Sequence, residues 1–359
     1  MDIGIMTYYG DNFGAVLQAY SVSDTLKVLN PDCNVDVIRY NAPFMRGRYN
    51  LFDHKFNTLR GAISNLIRLP QKALLKFKFY QFKKKYINFS SKVYNEHSIK
   101  DDYDVYFTGS DQVWNFHMNK GDTNYILGFV GDNRKKYSFA ASIADDDYIE
   151  YDNIYKEYLK YFTFISIREN RFIPYVRKYN SNVICSLDPV FLKTGDEWRK
   201  MIGLRMVKKN YILIYSFVAL GENLSKVIYD YSVRLNYDIY VIGSFPKSYQ
   251  KIFHRISSCG PIDFLNYINF ASIVITDSFH GTSFSIILEK DFYSIRREYR
   301  FSRIDDLLQE LNLSDRIIND LGENFKEYSI QYNAVKEIIE LKRKESIDYL
   351  TACSKQWNK

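Results

Sequence analysis

His280 is the residue with the strongest claim to chemistry. It stands in Asp277-Ser278-Phe279-His280-Gly281-Thr282-Ser283-Phe284-Ser285, directly after the β-branched run Ala271-Ser272-Ile273-Val274-Ile275-Thr276. A neutral imidazole accepts or donates a proton near neutral pH, and an imidazolium can hold an anion. The apolar run reads as a buried parallel strand, and a helix is expected to continue from Phe284. His280, Gly281 and the hydroxyls of Ser278 and Thr282 thus fall where a strand ends and a helix begins. Open α/β sheets bind ligands at the carboxyl ends of their strands, and a helix N-terminus offers unpaired N–H groups to an anion. The plainer reading of the same residues is a capped turn with a hydrogen-bonded histidine. The other histidines, His54, His97, His117 and His254, lack a comparable setting.

Further candidates occupy similar positions. Arg168 follows a strand pattern at 164–167, and its guanidinium fork suits a carboxylate or phosphate, or an ion pair with Glu169 or another neighbour. Arg303 precedes the helical run 304–311 and offers a second cation. Asn12 and Gly14 come after the first strand and open a helix, where a backbone can approach an anion closely. Asp111, after Gly109-Ser110, could orient or deprotonate an acceptor hydroxyl, or cap a helix. Asp188-Pro189 reads as a turn. No G-x-G-x-x-G, Walker loop, H-E-x-x-H or G-x-S-x-G is present, which argues against nicotinamide, P-loop, metalloprotease and ordinary hydrolase chemistry. Cys33, Cys185, Cys259 and Cys353 are scattered without a C-x-x-C pair, so neither a structural metal site nor a disulfide framework is expected, and a reducing cytoplasm fits.

Two series of elements must position these groups. In the first, strand patterns at 3–7, 35–40, 105–108, 137–141, 164–167 and 183–186 alternate with helical stretches such as 15–29 and 154–161. The second series has strands at 211–216, 239–243, 273–276 and 291–294, with helices at 224–235 and 263–270. Repeated βα units imply parallel sheets covered on both faces. With 359 residues the chain is long enough for two domains. The expected division is an N-terminal Rossmann-like domain, 1–204, and a C-terminal one, 205–359. The C-terminal helix, near 330–349, could cross back to the first domain. The stretch 41–100 is long for a single connection and is expected to hold one or two helices.

Net charge is +7, unevenly spread. The segment 55–100 carries +10, leaving −3 for the rest. Within it Lys72, Lys76, Lys78, Lys83, Lys84 and Lys85 interleave with Leu74, Leu75, Phe77, Phe79, Tyr80 and Phe82. Such a basic helical insertion suits the surface of an anionic membrane, or is a solvated helix packed on its own domain. No recognised nucleic-acid module accompanies it, so no nucleic-acid partner is expected. The chain starts directly on a strand pattern without a basic-then-apolar leader, and no apolar run reaches the roughly 20 residues of a membrane span. A cytoplasmic location is expected, with peripheral contact at the inner membrane face as an extension.

Several motifs, in order, resemble the polysaccharide pyruvyl transferase family. The turn bearing His280 is similar to the one that carries the family's active-site histidine. Gly4-Ile5-Met6-Thr7 with Asn12-Phe13-Gly14-Ala15-Val16-Leu17-Gln18-Ala19-Tyr20 looks like its opening strand, loop and helix. Phe107-Thr108-Gly109-Ser110-Asp111-Gln112-Val113-Trp114-Asn115 resembles its internal Gly-Ser-Asp-x-x-Trp-Asn segment. Ser138-Phe139-Ala140-Ala141-Ser142, Ser166-Ile167-Arg168-Glu169 and Leu187-Asp188-Pro189-Val190 follow in the family's order. The family often has Arg-Leu-His-Gly where this chain has Ser278-Phe279-His280-Gly281, so the phosphate-binding arginine two residues before the histidine is replaced. The resemblance implies two Rossmann-like domains facing a cleft, the GT-B-like architecture. It implies phosphoenolpyruvate as co-substrate, no cofactor, and a saccharide acceptor, free or lipid-linked, in bacterial surface-polysaccharide assembly. Under that reading His280 and Asp111 are catalytic. Arg168, Arg303, Ser278, Gly281, Thr282, Asn12, Gly14, Gly109 and Ser110 bind substrate. A nucleotide-sugar glycosyltransferase on the same architecture, or a non-catalytic assembly protein, remains as an alternative.

Overall fold

The computed structural model describes residues 1–46, 59–131, 135–144, 146–297, 301–322, 325 and 329–357. The start of the basic segment, 55–58, and the last two residues of the chain lie outside the described residues. The chain forms two compact units. One comprises Met1–Asn50, Gln81–Leu192 and Ile339–Lys359, and the other Leu51–Tyr80 and Lys193–Ile338.

The first unit is built on β1 (Asp2–Met6), β2 (Asn34–Tyr40), β3 (Phe89–Tyr94), β4 (Val105–Thr108) and β5 (Lys136–Ser138), in the order β3-β2-β1-β4-β5. All neighbours are parallel. The strands β6 (Ile165–Ile167) and β7 (Val183–Cys185) pair in parallel, and single parallel bridges from Tyr137 to Phe164 and from Ala141 to Ile167 continue the sheet. These strands read as apolar runs because both of their faces are covered. The helix Phe13–Leu29 buries Val16, Leu17, Val22 and Leu26. Much of the core of this unit is aromatic, with Tyr106, Trp114, Phe116, Tyr125 and Tyr155 all nearly inaccessible.

The second unit contains β8 (Tyr211–Ser216), β9 (Asp238–Gly243), β10 (His254–Arg255), β11 (Ile273–Thr276), β12 (Asp291–Ile295) and β13 (Ile317–Ile318). Their order is β10-β9-β8-β11-β12-β13, again parallel throughout. Counted within the unit this is 3-2-1-4-5-6, the doubly wound order of a Rossmann fold, and the first unit repeats its opening. Each sheet therefore has a switch point, between β1 and β4 in the first unit and between β8 and β11 in the second. Ile212, Ile214, Val241 and Ile275 lie in the core of the second sheet.

The structure departs from the sequence expectations in a few elements. The stretch 41–100, expected to hold one or two helices, contains the long helix Leu59–Tyr86 and, unexpectedly, strand β3. The helix expected from Phe284 starts at Phe279, which puts His280 in its first turn. Two helices are divided between the units. Leu59–Tyr86 belongs to the second unit up to Tyr80, and Tyr332–Trp357 to the first from Ile339.

Candidate functional site

In the second unit the candidate groups gather at the carboxyl ends of β8 and β11. Ser278 is the N-cap of the helix Phe279–Ile287, its Oγ accepting from the Gly281 N–H at 3.3 Å. The helix needs this cap because its first N–H groups have no carbonyl within the helix. His280 is 8% exposed, and its ring meets Phe279 edge-on at 5.3 Å between centroids. Gly281 is required by close packing. A Cβ there would lie 2.4 Å from Thr276 Oγ1 and 2.9 Å from Tyr215 Cδ1. Thr276 cannot yield easily, since its hydroxyl donates to the Tyr215 carbonyl at 2.7 Å and accepts from the Ser278 N–H at 3.0 Å. Thr282 is fully buried, and its hydroxyl is bonded to that of Ser294 on β12 at 2.7 Å. Burial holds the Tyr215 phenol well above its ordinary pKa, against a lowering hydrogen bond with Ser278. Arg303 lies in the first turn of the helix Ser302–Glu310, its guanidinium over the Phe279 ring at 5.5 Å. The cation and the histidine thus flank the same phenylalanine.

Asp277 organises the lip of this site. Its carboxylate accepts from Ser216 Oγ at 2.6 Å, the Phe217 N–H at 3.0 Å and the Val218 N–H at 3.4 Å. It also pairs with Arg297 Nε at 3.3 Å, and Arg297 reaches Asp320 as well. Sequence reasoning missed Arg297. Its signal was available, because Arg297 follows the strand β12, which neighbours β11 in the sheet.

In the first unit the residues between β1 and β4 form a polar knot. Asn12 caps the helix Phe13–Leu29, accepting from the Ala15 N–H at 3.2 Å, and Gly14 is buried in its first turn. Gln18 Nε2 donates to Thr7 Oγ1 at 2.9 Å and to the Tyr8 carbonyl at 3.0 Å, which fixes the end of β1. Gly109 has φ 114°, and a Cβ there would come within 2.2 Å of the Phe139 carbonyl oxygen, so only glycine fits. Ser110 Oγ accepts from the Asp111 N–H at 2.5 Å and donates to Asp188 Oδ2 at 3.3 Å. Asp111 sits in the left-handed region with φ 61°, and its carboxylate accepts from the Gln112 N–H at 2.9 Å. It caps no helix, since the following helix, Phe116–Asn119, is capped by Asn115.

Arg168 is brought to this knot from the end of β6. Its Nη2 pairs with Asp188 at 2.5 Å and also donates to Ser110 Oγ. Both side chains are almost inaccessible, at 4% and 0% exposure. Asp188 therefore does more than fix a turn. It also accepts from the Val190 N–H at 3.0 Å. Glu169 accepts from Ser142 Oγ and from the Ile143 N–H at 3.3 Å. The structure thus gathers Ser110, Arg168 and Asp188 in one unit, and Ser278, His280, Gly281, Arg303, Asp277 and Arg297 in the other. Among the described residues, no three His, Cys, Asp or Glu side chains cluster as a metal centre requires.

Two parallel α/β units of Rossmann order define a GT-B-like fold, and solved structures bear this out. A UDP-GlcNAc 2-epimerase from Neisseria meningitidis, bound to UDP-GlcNAc, superposes with a TM-score of 0.50 at 10% identity, over 96% of this chain and 94% of that one. The S. aureus MnaA–UDP structure gives a TM-score of 0.50 at 12% identity, over 94% and 88% of the two chains. Another UDP-N-acetylglucosamine 2-epimerase gives 0.51 at 11% identity, over 97% and 90%. At such identities the likeness concerns the fold alone. No curated protein matches the sequence. The sequence model for polysaccharide pyruvyl transferases, however, matches residues 12–299, and the chain belongs to that family.

Proposed function

We propose that this protein transfers the enolpyruvyl group of phosphoenolpyruvate to two hydroxyls of one sugar, forming a cyclic pyruvate ketal and releasing phosphate. The carrying observation is His280, held in the first turn of a helix at the switch point of the second unit, within a chain that matches the family over most of its length. In this reaction the methylene carbon gains a proton and becomes a methyl group. Each sugar oxygen forms a bond to the adjacent carbon, whose bond to the phosphate oxygen breaks. Of the two hydroxyl protons, the balance sends one to carbon and the other to the departing phosphate. His280 is proposed as the proton-transfer group, its imidazole suited to the task near neutral pH. Asp111 is proposed to orient or deprotonate an acceptor hydroxyl. Arg303, beside Phe279, is the cation proposed in place of the arginine absent at Ser278. Arg168 is proposed to serve the donor anion through the network with Ser110 and Asp188. The N-terminal turns beginning at Asn12 and Ser278, with Gly14, Gly109, Gly281 and Thr282 shaping them, complete the proposed substrate-binding set.

The acceptor is proposed to be a saccharide of a bacterial surface polysaccharide, such as a capsule or exopolysaccharide, or its lipid-linked precursor. The enzyme would meet it in the cytoplasm at the inner membrane face. The test is phosphate release from phosphoenolpyruvate in the presence of candidate sugar acceptors, with mass spectrometry of the product. A ketal product confirms the reading. Turnover of a nucleotide sugar with no phosphoenolpyruvate requirement would replace it with glycosyl-transfer or epimerase chemistry.

A further inference from the structure

In the helix Leu59–Tyr86, the residues 74–85 present a stripe that the fold leaves exposed. The helix sequence contains eight Lys or Arg and no acidic residue. Phe79 and Phe82 point inward, at 1% and 3% exposure. On the opposite side Leu74, Phe77 and Tyr80 are 46%, 53% and 57% exposed, spaced three residues apart along one stripe. Lys84 prolongs this stripe, while Lys76 and Lys85 flank it. No ion pair within the described residues engages Lys76, Lys84 or Lys85, and Lys85 lies over the Tyr86 ring at 4.9 Å. The remaining charge is not all available. Lys78 is paired with Asp263 at 2.6 Å, and Lys83 with Asp11 at 2.7 Å. Lys78 and Lys83 therefore hold the fold, Lys76 is half-buried at the edge of the apolar stripe, and Lys84 and Lys85 face solvent beside it.

We infer that this face docks the protein on an anionic membrane surface, with Leu74, Phe77 and Tyr80 entering the headgroup and acyl boundary and the exposed Lys84 and Lys85 contacting lipid phosphates. An interfacial helix has this build, a polar basic rim around an apolar face. A polyanion such as RNA would use the lysines but gain little from an exposed leucine, so the stripe favours lipid. The inference deepens the proposed use of a lipid-carried acceptor and rests on that reading for its purpose. The docking itself depends only on the helix.

The test is co-sedimentation of the full chain with phosphatidylcholine vesicles, with and without about one third phosphatidylserine, at low and high salt. Wild-type protein should bind the anionic vesicles at low salt and leave them as salt rises. Lys84→Ala with Lys85→Ala should weaken binding on the order of 25-fold, at about fivefold per lysine. Leu74→Ser with Phe77→Ser should also weaken it while leaving binding to a heparin column unchanged. Both variants alter exposed side chains and should melt as wild type does. Phosphate release on a short soluble acceptor should be the same in all three proteins. Wild type that ignores anionic vesicles at low salt overturns the docking. So does equal vesicle binding by the Leu74/Phe77 variant, which would make the face a general polyanion surface. Loss of transferase activity in every protein, with vesicle binding intact, would instead sink the functional reading and leave the docking standing.

Discussion

At the scale of single residues, position separates candidates with similar chemistry. His280 and Arg168 both follow strands, but their surroundings differ. His280 is in the first turn of a helix beside a cation that shares its phenylalanine neighbour, whereas Arg168 is clamped to a buried carboxylate. His280→Ala and His280→Gln should each lower turnover by about 10² to 10⁴, the usual contribution of a proton-transfer group, without altering the melting temperature. Near-normal phosphate release by either variant would remove His280 from the mechanism. Arg168→Ala should act first on stability. It takes the guanidinium away from the buried Asp188 carboxylate, and breaking such a buried pair costs about 3–5 kcal/mol in urea unfolding. Removing both partners, with Arg168→Met and Asp188→Leu, should recover most of that loss. If the double variant regains stability but not turnover, Arg168 also serves the substrate. If Arg168→Ala is as stable as wild type, the pair does not support the fold in the way its burial implies. Arg168→Lys keeps the charge but loses the fork, and should fall between wild type and alanine.

At the scale of elements, the cap and the close approach at Ser278 and Gly281 decide where His280 is held. Gly281→Ala would push a methyl into Thr276 and Tyr215. The strain should cost about 1–3 kcal/mol and misplace the neighbouring imidazole, so stability and turnover fall together. Ser278→Ala removes one cap bond and should cost about 1 kcal/mol. A Gly281→Ala protein with unchanged unfolding midpoint and rate would show that the turn has more room than these contacts allow. The buried strands were legible in the sequence, because an apolar β-branched run such as Ile273-Val274-Ile275-Thr276 has few other uses. The start of the His280 helix was not. Gly281 lowers helix propensity in its first turn, so the helical pattern begins only at Phe284. Strand β3 was also hidden. Phe89-Ser90-Ser91-Lys92-Val93-Tyr94 has two serines and a lysine and follows a long basic helix, and it lies at the edge of its sheet, where polar residues are tolerated. The two-residue strands β10 and β13 are too short for periodicity to reveal. Arg168 is singled out by the sequence, whereas its partner Asp188 reads chiefly as a turn residue there. A pair of side chains 20 positions apart is brought together by the sheet, not by local pattern.

At the scale of the molecule, the test is which ligand stabilises the native state. The fold does not decide it. Solved structures of like fold include a UDP-GlcNAc 2-epimerase bound to UDP-GlcNAc and the MnaA–UDP structure, while this chain's family match concerns pyruvyl transfer. A ligand that binds only the native state raises its stability by RT ln(1 + [L]/Kd), about 2.7 kcal/mol at one hundred times Kd. Phosphoenolpyruvate should therefore raise the melting temperature by several degrees, and UDP and GDP at equal concentration should not. The shift should shrink at high salt, since the bound ligand is a small, highly charged anion. His280→Gln should retain much of the phosphoenolpyruvate shift if the histidine acts mainly in proton transfer, and lose it if the imidazolium holds the phosphate. Arg303→Ala, which removes the cation beside Phe279, should reduce the shift in either case. A shift with UDP and none with phosphoenolpyruvate would mean that the second unit kept a nucleotide site, and the replacement of arginine by Ser278 would then mark a change of donor. A shift with inorganic phosphate as large as that with phosphoenolpyruvate would assign the binding to the phosphate alone, with no net contribution from the carboxylate.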